Sequence, residues 1–138
     1  MSMDLHRLMS QLLRAWNSHD LEAIVAFYAA DYHGVDVAHP LPYGTREGVR
    51  RLFRARLAAF PDLQFAQERV VAEIPHAALF WRAQGTHWGT FLHIPPTGRR
   101  VQTWGVSLFV VRGGLLRQGL HIWDVAGLLR SLGLLPEL

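Results

Sequence analysis

The chain has 138 residues and no cysteine, which suits one domain around a single core and excludes disulfides, thiolate catalysis and cysteine-bound zinc or iron–sulfur clusters. Half of it is apolar, far from the composition of disordered segments. The formal net charge is +3 and every basic residue is arginine, so Schiff-base chemistry and a phosphate-binding P-loop, which both need lysine, are excluded.

The N-terminal stretch "MSMDLHRLMSQLLRAW" places Leu5, Leu8, Met9, Leu12, Leu13 and Trp16 at helical spacing and predicts a helix over residues 3–16. It lacks the apolar core and small-residue cleavage site of a signal peptide, and no run approaches a membrane span. A cytoplasmic protein with no membrane partner is the expectation. "NSHD" breaks the first helix, and Asp20 is a suitable N-cap for a second, "LEAIVAFYAA". A short extended segment, about 32–38, runs into "HPLPYG", a loop marked by two prolines and a glycine. The next helix, about 46–60, stops before Pro61. Its Arg50, Arg51 and Arg54 interleave with Val49, Leu52, Phe53 and Leu57, the pattern of a solvated helix face rather than of a nucleic-acid site.

Beyond Pro61 the texture changes. "QFAQERVVAEI", "AALFWRAQGTHWGTF", "RRVQTWGVSLFVV" and "LLRQGLHIWD" read as strands, separated by "PH", "IPPTG" and "RGG". A short helix, "VAGLLRSLG", and a tail close the chain. Helices followed by a four-stranded antiparallel meander predict a single α+β domain over 1–138, with the helices on one face of the sheet. A curved sheet covered in this way encloses a pocket.

Four stretches, "WNSHDLEAIVAFYAADY", "GTREGVRRLFRARLAAFPDLQF", "GTHWGTFLHIPPTGRRV" and "WDVAGLLRSLG", resemble the SnoaL-like polyketide cyclase family in sequence and order. The specific parts are "GTH-x-G-x-F-x-x-IPPTG" and "D-x-x-G-L-L-R-x-L-G". The resemblance implies the cone-shaped α+β barrel of nuclear transport factor two, with a curved, mainly antiparallel sheet. It also implies chemistry without a cofactor, since the family's cyclases close a polyketide ring by an intramolecular aldol condensation. In those cyclases an aspartate late in the final strand acts as acid/base, helped by a polar residue on the preceding strand. With the register anchored on Asp124, these positions fall on His121 and Ser107, a departure at both.

Strand alternation sets His121 and Trp123 on one face and Gln118, Leu120 and Ile122 on the other; the family register turns the first set inward. An imidazole is a credible base near neutral pH. Asp124 opens the last helix as its N-cap, and is also a candidate to orient His121. Ser107 shares its face with Thr103, Gly105 and Phe109 and is placed to polarise a substrate carbonyl. His87, between Gly85 and Gly89, reads first as a residue of a strand bend and second as a ligand contact. His33 is a further candidate for the cavity. His33, Asp36 and His39 do not make a metal triad: in an extended segment His33 and His39 lie roughly 20 Å apart and Asp36 points the other way. Trp104 has outward parity and suits a homodimer through the outer sheet face. The leading expectation is a cofactor-independent cyclase, lyase or isomerase for a hydrophobic, carbonyl-bearing molecule. The alternative is a non-catalytic small-molecule-binding or dimerising protein of the same fold.

Overall fold

A computed structural model describes residues 4–38 and 44–136. Helix α1 (Leu5–Ser18) starts at Asp4, whose carboxylate accepts from the Arg7 N–H, and ends at His19 in the left-handed region (φ 61°). Its apolar stripe is buried, with the Trp16 ring tilted against Phe53 and Phe65 at centroid distances of 5.9 and 5.1 Å.

Helix α2 (Leu21–Val25) is capped by Asp20 as expected, but it ends earlier than its sequence predicts. Strand β1 (Tyr28–Asp36) takes over the residues "YAA". The reason is tertiary: the Leu116 N–H donates to the Phe27 carbonyl, and β1 then runs parallel to β5 (Leu115–Trp123). A ladder with a distant strand outweighs a small local preference for helix.

Helix α3 (Arg46–Ala59) follows, capped by Thr45. Strands β2 (Gln64–Glu73), β3 (His76–Thr86) and β4 (Arg100–Arg112) form the antiparallel meander with β5, and the sheet order is β1-β5-β4-β3-β2. The predicted four strands are therefore present, joined by a fifth at one edge in a parallel pairing. The sheet is not closed. Helix α1 lies against β2 and α3 against β1, so helices bridge the two edge strands of the cone. Helix α4 (Val125–Ser131) folds back on β4 and buries Leu128.

The second of the four predicted strands, β3, ends sooner than "GTHWGTF" suggests. Asp62 takes both the backbone N–H and the hydroxyl of Thr86, and the N–H groups of Trp88 and Gly89 both donate to the Ala59 carbonyl. The open carbonyl end of α3 thereby turns the chain out of the sheet.

Candidate active site

The inner positions of three strands form one cross-strand row. Ser107 on β4 is the register partner of His121 on β5, which is the partner of Asp36 on β1. Adjacent partners on the same face stand within reach of each other. Asp36 and Ser107 are buried, and His121 is partly buried.

His121 is held at both nitrogens. Its Nδ1 lies 2.7 Å from the Ser107 hydroxyl and its Nε2 lies 3.4 Å from the Tyr32 hydroxyl. Ser107 also accepts from the Trp81 indole N–H at 3.0 Å. Burial, followed by the nearby Arg56 guanidinium, pushes the imidazole down from 6.5 to about 4, against an opposing pull from Asp36. The ring is thus neutral at pH 7. Burial also raises the Tyr32 phenol, with Tyr28 adding to the effect, so Tyr32 keeps its proton.

The Asp36 carboxylate accepts from Arg56 at 2.9 Å, from the Trp123 indole at 3.0 and 3.1 Å and from the Ala38 N–H at 2.9 Å. Arg56 comes from the inner face of α3, with Phe53 three residues before it and Phe60 four after. Its guanidinium also sits 5.3 Å from the Trp123 ring centroid.

These side chains border two interior chambers of about 40 Å³ each, which share Arg56, Phe65, Trp81 and Trp123 as lining. One carries Asp36, Ser107 and His121 in an otherwise largely aromatic and aliphatic wall. The other is apolar and is closed by Phe60, Phe91, Val101 and Leu128. As packed, each has room for about two or three waters.

The structure brings together His121, Ser107 and Trp123 from among the residues singled out in sequence. Thr103 lines the apolar chamber, but its hydroxyl donates to the Asp124 carbonyl at 2.7 Å. For three candidates the structure shows no contact with His121 or with either chamber, and Asp124 and His87 keep the cap and strand-bend roles read first for them. Asp124 caps α4, accepting from the Gly127 N–H at 2.8 Å, and its exposed carboxylate makes no contact with His121. Its position one residue past the strand leaves it on the opposite side from the cavity. His33 is exposed, because alternation along β1 turns Tyr32, Gly34 and Asp36 inward and His33 outward. His87 is buried beside Phe60 with its Nδ1 bonded to Thr97, and it lines neither chamber. His39 lies outside the described residues.

Asp36, Arg56, Trp81 and Tyr32 went unrecognised as site residues. For Asp36 a signal existed: the parity that separates it from His33 turns it inward once His33 is outward. No three His, Asp or Glu residues among those described stand close enough to hold a metal ion. No helix among the described residues is long and apolar enough to cross a membrane.

The fold has known counterparts. AclR of Streptomyces galilaeus, a candidate hydroxylase, is similar at 28% identity and a TM-score of 0.85, covering 96% of this chain and 87% of its own. TsrD of Streptomyces laurentii is similar at 27% identity and a TM-score of 0.86, with 97% of this chain and 100% of its own covered. IdmH of Streptomyces antibioticus, a candidate polyketide cyclase, gives 28% identity and a TM-score of 0.82 over 95% of this chain and 99% of its own. No protein of curated function matches the sequence. Residues 6–132, nearly the whole chain, match the family described as SnoaL-like polyketide cyclase. The chain belongs to the SnoaL-like polyketide cyclase family.

Proposed function

We propose that the protein is a cofactor-independent acid/base enzyme that removes a proton from an activated carbon beside a carbonyl in a small, largely apolar molecule. The observation that carries this reading is the row Ser107–His121–Asp36 in the wall of an aromatic-lined interior chamber. His121 is the base, acting through Nδ1. On binding, the Ser107 hydroxyl turns from Nδ1 to the substrate carbonyl oxygen. The C–H bond then breaks, the proton goes to Nδ1, and the electron pair moves onto the oxygen as an enolate. Asp36 stands across β5 to offset the imidazolium charge, in the place first assigned to Asp124, and Arg56 holds Asp36 and faces the same chamber.

A base whose conjugate acid titrates near 4 matches an acidic carbon best. The favoured substrates are therefore 1,3-dicarbonyl compounds, in which one carbon lies between two carbonyls. Cyclisation, isomerisation and elimination all begin from the enolate so formed. Opening of the aromatic part of the shared wall, with Arg56 kept on Asp36, would join the two chambers and give the substrate an apolar compartment beyond the one that His121 borders.

The test is solvent deuterium exchange at the activated carbon of a panel of cyclic and aromatic 1,3-diketones, followed by proton NMR. The wild-type protein accelerates exchange for part of the panel, and His121→Ala lowers that rate by about 10²–10⁴-fold. Unchanged exchange in His121→Ala removes His121 as the base. A second reading, a non-catalytic binder, is favoured by one observation: both imidazole nitrogens are hydrogen-bonded within the protein. Saturable binding of a diketone with no exchange supports that reading instead.

The finer proposal on assembly is a homodimer through the outer sheet face. Two adjoining rows support it, Phe80–Val106–Ile122 and Val71–Ala78–Leu108–Leu120–Val35, the second crossing all five strands. Phe80, Trp104, Leu108, Ile122, Val71 and Val35 are all exposed large hydrophobic residues.

A further inference from the structure

The hydroxyl of Ser107 has two hydrogen-bond partners among the described residues, the Trp81 indole nitrogen and His121 Nδ1. An indole nitrogen only donates. Trp81 therefore occupies one of the two lone pairs of Ser107 Oγ, and His121 Nδ1 is the one partner among the described residues that can accept the hydroxyl proton, which would otherwise be left without an acceptor. Nδ1 then carries no proton of its own, and the ring proton of a neutral imidazole sits on Nε2, facing the Tyr32 hydroxyl.

We propose that Trp81 is a positioning residue that fixes the tautomer of His121, through Ser107, with the lone pair on Nδ1 and the proton on Nε2. The bonds run in one direction, from the Trp81 N–H to Ser107 Oγ, from the Ser107 O–H to His121 Nδ1, and from the His121 Nε2–H to the Tyr32 oxygen. Without Trp81 the hydroxyl proton is free to turn to the side the indole now fills, leaving Oγ to accept from Nδ1–H and the imidazole lone pair to face Tyr32.

The fold around Trp81 supports this assignment. Trp81 on β3 is the register partner of Gly105 on β4, and a Cβ at Gly105 would come within 2.3 Å of the indole. The missing side chain lets the ring lie along β4 from Gly105 to Ser107, which shares its face two residues on. Gly119 does the same at the other end, since a Cβ there would come within 2.2 Å of the Tyr32 hydroxyl. Two glycines thus shape the cradle that brings both ends of the chain of bonds to His121.

The value of this tautomer to catalysis rests on the reading of His121 as a base; the tautomer itself does not. The test is a long-range proton–nitrogen correlation spectrum of the substrate-free protein with nitrogen-15 histidine at pH 7, His121 being assigned by its loss in His121→Gln. The wild type shows one His121 form, with an unprotonated Nδ1 and a protonated Nε2. Trp81→Phe and, separately, Ser107→Ala add the signals of the Nδ1–H form. A wild-type ring protonated at Nδ1 overturns the proposal, as does a folded variant of either kind that keeps the single Nε2–H form. Should Trp81→Phe fail to fold, Ser107→Ala decides alone. Deuterium exchange on the same samples separates the two claims. Exchange that survives in His121→Ala removes the base and leaves the tautomer assignment standing. Exchange lost in His121→Ala beside a wild-type Nδ1–H ring does the reverse.

Discussion

At the scale of single residues, the site is a set of polar groups held in an apolar interior by mutual bonds. His121 takes its proton near pH 6.5 in the unfolded chain and only near 4 in the fold. Between those values the unfolded state holds the extra proton, so stability rises with pH across this window and is lost on acidification. The full difference corresponds to about 3 kcal/mol. Urea unfolding at pH 7 and pH 4 checks it: the stability lost on acidification is smaller in His121→Gln than in the wild type by up to about 3 kcal/mol. Equal losses would place the imidazole in a far wetter setting. Asp36 is the other sensitive position, since its side chain is 4% exposed and its Arg56 partner 18%. Removing one member of such a pair leaves a charge uncompensated, and Asp36→Ala should destabilise by about 3–5 kcal/mol in urea. A double change of Asp36 and Arg56 to apolar residues should recover much of that loss.

At the scale of elements, sequence periodicity located the helices and most strands, and the discrepancies sit where distant segments pair. Strand β1 begins inside a predicted helix because β5 offers it a ladder. The loop between β3 and β4 holds a different local tension. Phe91 and Ile94 pair through two backbone bonds of 3.1 and 2.8 Å, and the central Leu92 and His93 have φ of 50° and 64°. Positive φ at both central positions is the requirement of a type I′ turn, which Asn-Gly meets and leucine and histidine do not. This turn presents Phe91 to Phe60 at 5.1 Å and to the wall of the apolar chamber. Replacing Leu92 by Asn and His93 by Gly should raise stability by about 1 kcal/mol, read as a higher midpoint in thermal unfolding. A lowered midpoint would show that packing of these two side chains outweighs the relief of strain.

At the scale of the whole molecule, the two faces of the sheet serve different ends. The inner face carries the polar row and its aromatic walls; the outer face carries apolar rows that a second copy of the sheet would cover. Arg82 rests on Trp104, its guanidinium 5.5 Å from the ring centroid, and keeps a charge at the border of this patch. Sedimentation velocity checks the assembly. The expected outcome is a wild-type dimer that Leu108→Arg, which sets a charge in the middle of the row crossing all strands, shifts to monomer. A wild-type monomer at micromolar concentration would refute the dimer.

What the sequence determined by itself was local in origin. Helical spacing buries Leu5, Met9, Leu12 and Trp16, Asp20 and Asp124 act as caps, and alternation places Ser107, His121 and Trp123 on one face of adjacent strands. Neighbouring strands in a meander also bring Ser107 opposite His121, a pairing of short range along the chain. The tertiary structure alone decided which carboxylate joins them. Asp124 is three residues from His121, yet the helix start claims it. Asp36 is distant in sequence, yet the parallel β1–β5 ladder sets it beside the imidazole and α3 supplies Arg56 to hold it. The identity of a buried partner depends on non-local register, which alternation within a strand cannot encode. The low titration point of His121 has the same origin, because burial and the field of Arg56 exist only once the sheet and α3 have packed together.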